Sequence, residues 1–236
     1  MAKPLICVRS LRKEYPMGDQ TVVALDGIDL DIEKGQIVCI FGTSGSGKST
    51  LLNQLAGLER PTAGSVTIGG VPVDRLSENA LAVFRQKHLG FVFQSYNLLP
   101  TMTAAENVAL PLMFRGVPRQ QRQAMAEQML RKVGLHERKD HYPGQMSGGQ
   151  QQRVGIARAF IARPAVVYAD EPTGNLDSKT TVEIMEMIRG FAKAYRQTII
   201  MVSHDAEMAS YADRILTLKD GRIISDERRG TDDETI

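Results

Sequence analysis

Nine consecutive residues carry the clearest chemistry in the chain. They read Gly42-Thr43-Ser44-Gly45-Ser46-Gly47-Lys48-Ser49-Thr50. This fits G-x-x-x-x-G-K-[ST], a loop that wraps its backbone around phosphate. The glycines let successive N–H groups turn toward one anion. Lys48 adds charge at the β- and γ-phosphates, and the Ser49 hydroxyl can ligate Mg²⁺. A helix that starts here points its positive end at the same phosphates.

Elements of the right kind flank the loop. Ile37-Val38-Cys39-Ile40-Phe41 is an apolar run of the length of a buried parallel strand. Leu51, Leu52, Leu55 and Leu58 recur at helical spacing, with Pro61 beyond the helix end. An ordinary glycine-rich turn needs neither these flanks nor the Lys-Ser ending.

Two further clusters carry chemistry. Val166-Val167-Tyr168-Ala169 is an apolar strand that ends in Asp170 and Glu171. In phosphate-loop enzymes an Asp at such a strand end holds the Mg²⁺ shell. Glu171, next to it, is placed to polarise a water for attack on phosphate. Ser147-Gly148-Gly149-Gln150 opens a helix with Val154, Ala157 and Ile161 on one face. That is a second helix N-terminus able to hold phosphate. One nucleotide does not need two, so the second is expected to serve another chain's nucleotide.

The chain has 236 residues, 42% of them hydrophobic, which is enough for a real core. Lys and Arg number 29 against 27 Asp and Glu, a net +2, which argues against a dedicated nucleic-acid binder. The two cysteines, Cys7 and Cys39, sit in strand-like runs and read as reduced core residues. No apolar stretch has the length of a signal peptide or a membrane span, so a cytosolic protein is expected.

In chain order, Leu5–Arg9 reads as a short strand, followed by a polar loop that holds Tyr15. Ile28, Leu30 and Ile32 alternate with Asp29 and Asp31 as in a half-buried antiparallel strand. Ser65–Ile68 is another strand. Helical periodicity begins at Ser77, and Leu89–Phe93 is a strand that ends at Gln94. Helices near Ala104–Phe114 and Arg119–Val133 follow, without a strand between them. Strand and helix then alternate again, closing on a hairpin around Asp220-Gly221. The acidic end Thr231–Thr235 is expected to fray.

The ordered set of motifs resembles the ATP-binding subunit of ABC transporters over nearly the whole length. Gly42–Ser49 matches the Walker A motif, Gln94 the Q-loop and Ser147–Gln150 the signature. Asp170-Glu171 matches Walker B, Asn175-Leu176-Asp177 the D-loop and His204 the H-loop. Tyr15 matches the aromatic that stacks on adenine. Met146 stands where the family usually has Leu, a swap of similar volume.

The resemblance implies an α/β fold: a RecA-like P-loop core with an antiparallel β layer and a helical subdomain. One domain over 5–236 is implied, with core parts 5–93 and 163–228 around a helical signature subdomain at 94–162. ATP and Mg²⁺ are the implied cofactors. Residues 42–50 with Tyr15 would hold ATP, and Ser49, Gln94 and Asp170 the metal. Glu171 would be the catalytic base, His204 would contact the γ-phosphate and water, and Gln94 would sense both. Ser147, Gly148, Gly149, Gln150 and Asp177 would serve the partner's nucleotide in a head-to-tail dimer.

Glu171-Pro172-Thr173-Gly174-Asn175-Leu176-Asp177 and the Asn97–Thr103 segment resemble the lipoprotein-release, macrolide-export and cell-division ATPases. Their membrane partners are FtsX-like permeases, which this chain would power from the cytoplasmic face. Leu98, Leu99 and Met102 would meet the permease. Export or extraction of a peptide, lipoprotein or drug is implied; mechanotransmission in the envelope without transport is the alternative. A soluble ABC protein on ribosomes or DNA would carry tandem modules or coiled-coil insertions. A small-molecule kinase would not need Ser147-Gly148-Gly149-Gln150.

Overall fold

The computed structural model describes residues 3–229, so the acidic end and the first two residues lie outside the described residues. The elements begin with β1 (Ile6–Met17), β2 (Gln20–Ile32), β3 (Ile37–Phe41), α1 (Lys48–Leu55), β4 (Ala63–Ile68) and β5 (Val71–Pro72). Then come α2 (Glu78–His88), β6 (Leu89–Phe93), α3 (Ala104–Phe114), α4 (Arg119–Lys132) and α5 (Gly148–Ile161). The chain finishes with β7 (Val166–Asp170), α6 (Ser178–Tyr195), β8 (Thr198–Ser203), α7 (Ala206–Ala209), β9 (Arg214–Lys219) and β10 (Arg222–Arg228). Two compact units result. One joins the described residues up to Leu81 to those from Thr198 onward, and the other is Ala82–Gln197.

The first unit holds an antiparallel sheet in the order β2-β1-β4-β5 and a mostly parallel set β10-β9-β3-β8. β3 runs parallel to both β8 and β9, and β10 closes the edge antiparallel. Ile37 to Ile40 and all of β8 are buried, with no alternation. A parallel strand covered on both faces reads this way. β2 does alternate: Ile28, Leu30 and Ile32 are buried while Gly27 and Asp29 are exposed and Asp31 is partly so. The β9–β10 turn uses Asp220 (φ 48°) and Gly221 (φ 73°), the two left-handed positions of a type I′ hairpin. Arg214, 4% exposed, ties this hairpin down: it donates Nε and Nη2 to the Asp226 carboxylate at 2.6 Å and Nη1 to the Asp31 carbonyl of β2.

Three expectations change. Tyr15 lies within β1, not in a loop, because β2 pairs along the whole hairpin and sets Tyr15 opposite Val22. The pairs with β4 stop at Arg12, so Pro16 sits where β1 has a neighbour on one side only, as a strand proline must. Helix α1 ends at Leu55, leaving Leu58 46% exposed beyond it. Cys39 is a core residue, whereas Cys7 is only half-buried; both thiols are free. Burial pushes the Cys39 thiol up to about 12.

In the second unit α5 packs against β6 of the parallel pair β6–β7, and α3, α4 and α6 pack against α5. It takes in more than 94–162, because β6, β7 and α6 belong to it. Thr103 caps α3 through a reciprocal box with Glu106: Oγ1 accepts from the Glu106 N–H, and the Glu106 carboxylate accepts from the Thr103 N–H. Asn107 is fully buried and holds the preceding loop. Its Oδ1 accepts from the Leu99 N–H at 2.8 Å, and its Nδ2 donates to the carbonyls of Leu99, Met102 and Thr103 at 3.0–3.1 Å.

Candidate functional site

The phosphate loop belongs to the first unit and stands on the β9–β10 hairpin. Gly221 donates its N–H to the Ser46 carbonyl at 3.1 Å. Two of the glycines are dictated by this packing. A Cβ on Gly42 would collide with the Leu218 carbonyl oxygen, and one on Gly47 would come within 2.6 Å of the Ala24 oxygen. Gly47, at φ 100°, starts α1 with no side-chain cap and no acid in the first turn. As a glycine, the N-cap residue offers no side-chain cap of its own to the first N–H groups of α1. Lys48 is buried and donates Nζ to the Thr43 carbonyl at 2.8 Å, while Thr43, Ser44, Gly45 and Ser49 face outward. The Ser46 hydroxyl is buried without a hydrogen-bond partner among the described residues.

Two more expected residues border this loop within the same unit. Phe41 pairs with Ser203 in the parallel register of β3 and β8. His204 therefore leaves the end of β8 next to the point where Gly42 leaves β3. Tyr15 carries Lys13 Nζ 5.0 Å from its ring centroid, its hydroxyl donates to Glu59, and the Thr50 side chain lies beside that hydroxyl. Burial first, then the Glu59 carboxylate, raises the Tyr15 phenol above its usual range, so it stays protonated.

The remaining expected residues lie in the second unit. Asp170 ends β7 and pairs in register with Phe93, the residue before Gln94. Glu171 follows with φ 42°, a left-handed conformation that a non-glycine residue keeps only where its surroundings enforce it. Its carbonyl accepts from the Gly174 N–H at 3.1 Å, and the next carbonyl, that of Pro172, accepts from the buried Gln152 side chain of α5. Gln94 packs against the same turn: Asn175 donates to its carbonyl at 3.1 Å, and a Cβ on Gly174 would lie 2.7 Å from its Nε2.

Ser147 and Asp177 act as helix caps. Ser147 Oγ accepts from the Gln150 N–H at 3.3 Å, and Gln150 Oε1 accepts from the Ser147 N–H at 3.0 Å. The Asp177 carboxylate accepts from the N–H and the hydroxyl of Thr180 at 2.9 and 2.7 Å, and the backbone bond first of all holds it below the usual carboxylate range. Gly149 faces Thr180, whose methyl carbon would be 2.8 Å from a Cβ there. The signature and the Asp177 turn are thus one packed cluster.

Sequence reasoning missed Gln152, Thr180 and Arg158. Arg158 had a visible signal, a charge among the apolar positions Val154, Ala157 and Ile161 of α5.

The residues fit a nucleotide phosphate. The N-cap of α1 is a glycine without a side-chain cap, the Ser46 hydroxyl has no hydrogen-bond partner among the described residues, and a Cβ has no room at Gly42 or Gly47. No group of three His, Cys, Asp or Glu able to hold a metal occurs among the described residues. Hydroxyl, amide and carboxylate oxygens, the donor types that Ser49, Gln94 and Asp170 each offer, are of the kind that suits Mg²⁺.

The comparisons agree with this chemistry. The sequence profile described as "ABC transporter" matches residues 25–174. An uncharacterised ABC transporter ATP-binding protein of Thermotoga maritima is 49% identical over 92% of this chain and 93% of its own. The lipoprotein-releasing system ATP-binding protein LolD of Chromohalobacter salexigens is 46% identical over 92% of this chain and 91% of its own. Macrolide export ATP-binding/permease protein MacB 2 of Aeromonas hydrophila is 47% identical over 97% of this chain, which spans only 35% of that longer protein. Among solved structures, the dimeric post-hydrolysis state of the ATP-binding cassette MJ0796, bound to ADP and Pi, superposes with a TM-score of 0.88 at 40% identity, covering 95% of this chain and 99% of the other. No helix among the described residues is long and apolar enough to cross a membrane. With an ATP-binding cassette fold and the phosphate cradle in place, the chain belongs to the ABC transporter family, as an ATP-binding ATPase domain.

Proposed function

We propose that this chain hydrolyses MgATP as a head-to-tail dimer and so powers an FtsX-like membrane permease. The carrying observation is the glycine cradle at Gly42–Ser49, with a buried lysine inside it and a glycine at the helix start. In this reading Lys48 and the N–H groups of α1 bind the β- and γ-phosphates, and Tyr15 stacks on adenine. Ser49, Gln94 and Asp170 would hold Mg²⁺, which would neutralise charge on the phosphates. Glu171 takes the proton of the attacking water, and His204 orients that water and the γ-phosphate. Ser147, Gly148 and Gly149 complete the partner's site, and Asp177 and Gln150 shape it by capping.

The permease would dock on the second unit. Leu99 is 43% exposed there and Phe114 64% exposed. A groove of about 290 Å³ lined by Met102, Glu106, Leu110, Met113 and Arg122 opens beside them. Apolar side chains left outward in this way mark a contact surface. The names of the relatives favour export of a lipoprotein or drug, with the chain on the cytoplasmic face of the membrane through its permease. The decisive experiment is Glu171→Gln. The amide keeps the shape but is a far poorer proton acceptor. ATP binding should persist, turnover should vanish, and ATP should trap a dimer on size-exclusion chromatography. Unchanged hydrolysis would remove Glu171 from its role.

A further inference from the structure

Tyr96 and Asn97, just after Gln94, are both left-handed, with φ of 62° and 47°. Two adjacent non-glycine residues hold this conformation only where neighbours over-determine it. One side chain does so. Arg158 of α5 donates Nη2 to the Tyr96 carbonyl at 2.8 Å and Nη1 to the Asn97 carbonyl at 2.6 Å. The planar fork suits two adjacent acceptors, which a lysine could not bridge. The Tyr96 side chain reaches the other end of the same helix. Its hydroxyl fills the space beside Gly148, 2.7 Å from where a Cβ would stand. Between these points the Tyr96 carbonyl lies 3.7 Å from the Cβ position of Gly155. The segment is therefore fixed along α5 at Gly148, Gly155 and Arg158, about 15 Å of helix at 1.5 Å per residue. Ser147 begins that helix, and the loop at 98–102 begins one residue after Asn97.

We propose that Arg158 and Tyr96 are positioning residues that lock the Gln94 loop to the signature helix, so that displacing loop 98–102 and aiming Ser147 at the partner's nucleotide are one movement. The inference rests on the functional reading above and adds to it the part that transmits the motion. A loop held less firmly would absorb a push by rotating its two left-handed residues.

The test uses the full chain with MgATP and three variants: Arg158→Ala, Arg158→Lys and Tyr96→Phe. Amide exchange at 95–99 is followed together with kcat and KM. Arg158→Ala should speed exchange there and lower kcat, each by about tenfold or more, while KM stays within about twofold because the phosphate loop is untouched. Arg158→Lys should fall between Ala and wild type in both readouts. Tyr96→Phe should keep slow exchange, since Arg158 still holds the carbonyls, but lower kcat by about twofold or more. Unchanged exchange in Arg158→Ala overturns the clamp, and faster exchange with wild-type kcat overturns the coupling. If Arg158→Ala fails to fold, a lysine variant with wild-type exchange and kcat overturns the proposal on its own. Ser147→Asp distinguishes the two levels: normal hydrolysis there refutes the underlying reading, whereas a dead Ser147→Asp beside a normal Arg158→Ala refutes only the clamp.

Discussion

Asn107→Ala should loosen the loop proposed to meet the permease, and the size of the effect can be worked out from the contacts. Asn107 supplies one acceptor to the Leu99 N–H and two amide protons shared by the carbonyls of Leu99, Met102 and Thr103. Three such bonds at about 1 kcal/mol net each come to about 3 kcal/mol. Solvent can reach Leu99 once the loop opens, so rehydration keeps the loss near this value. For a chain of this size 1 kcal/mol moves the midpoint by about 2–4 °C, so a drop of about 6–12 °C is expected in the melting of the second unit. Asn107→Asp should do no better than Ala, because it keeps the acceptor but sets a carboxylate against three carbonyls. Circular dichroism melts give the stability, and hydrogen exchange at 99–103 localises it. ATP affinity of the isolated chain should hold while permease-stimulated hydrolysis falls. A melt within 1 °C of wild type, with protected amides at 99–103, would show that the loop is held by other means.

Tyr15→Ala should weaken ATP binding by about 1–3 kcal/mol of lost base stacking while Tyr15→Phe keeps it, since Phe loses only the hydroxyl bond to Glu59; equal affinity for Ala and Tyr in a titration would end the stacking assignment. The Arg214 contact holds Asp226 below the usual carboxylate range, so its contribution is present above the unfolded pKa and fades as pH falls through the folded one. Asp226→Asn should therefore lower the unfolding midpoint at pH 7 but make little difference at the acid end of a pH series; a penalty of equal size at every pH would rule out charge as the cause.

The phosphate loop, the β7 carboxylates and the hairpin at Asp220-Gly221 were legible because each is a short run whose chemistry fixes its own backbone. Helices α3 and α4, expected near Ala104–Phe114 and Arg119–Val133, run Ala104–Phe114 and Arg119–Lys132. Tyr15 was misplaced because Lys13-Glu14-Tyr15-Pro16 is polar, and only pairing with a strand further along the chain keeps it extended. The charge of Arg158 among apolar positions was visible, but its partners, like those of Gln152 and Asn107, were hidden for a related reason. Each acts by hydrogen-bonding backbone carbonyls of another segment, and backbone acceptors leave no mark on the sequence. The caps show the limit of motif reading in a different way. Ser147 and Asp177 stand at family positions for nucleotide contact, yet in the single chain their side chains are spent on their own helices.

That capping sharpens the test of a shared active site. Because Ser147 takes the Gln150 N–H, the helix start offers the Gly148 and Gly149 N–H groups to an incoming anion, and these are the donors proposed for the partner's γ-phosphate. Ser147→Asp should then separate folding from function. Asp caps a helix as well as Ser does, so α5 should stay intact. Its charge, however, opposes a phosphate at the same place. Lys48→Ala damages the other half of the site, the loop that holds its own chain's nucleotide. Every site in either homodimer carries one defect, so both proteins should be inactive. In a mixed dimer both defects fall in one composite site, and the other combines an intact Lys48 with an intact Ser147. Equal mixing makes half of the dimers mixed, each with one good site, so about a quarter of wild-type turnover should return if sites act independently. Less than that, with the mixed dimer formed on ATP, would mean that both sites must fire together. Normal hydrolysis by the Ser147→Asp homodimer would refute sharing outright, because the signature helix would then have no part in the surroundings of the γ-phosphate.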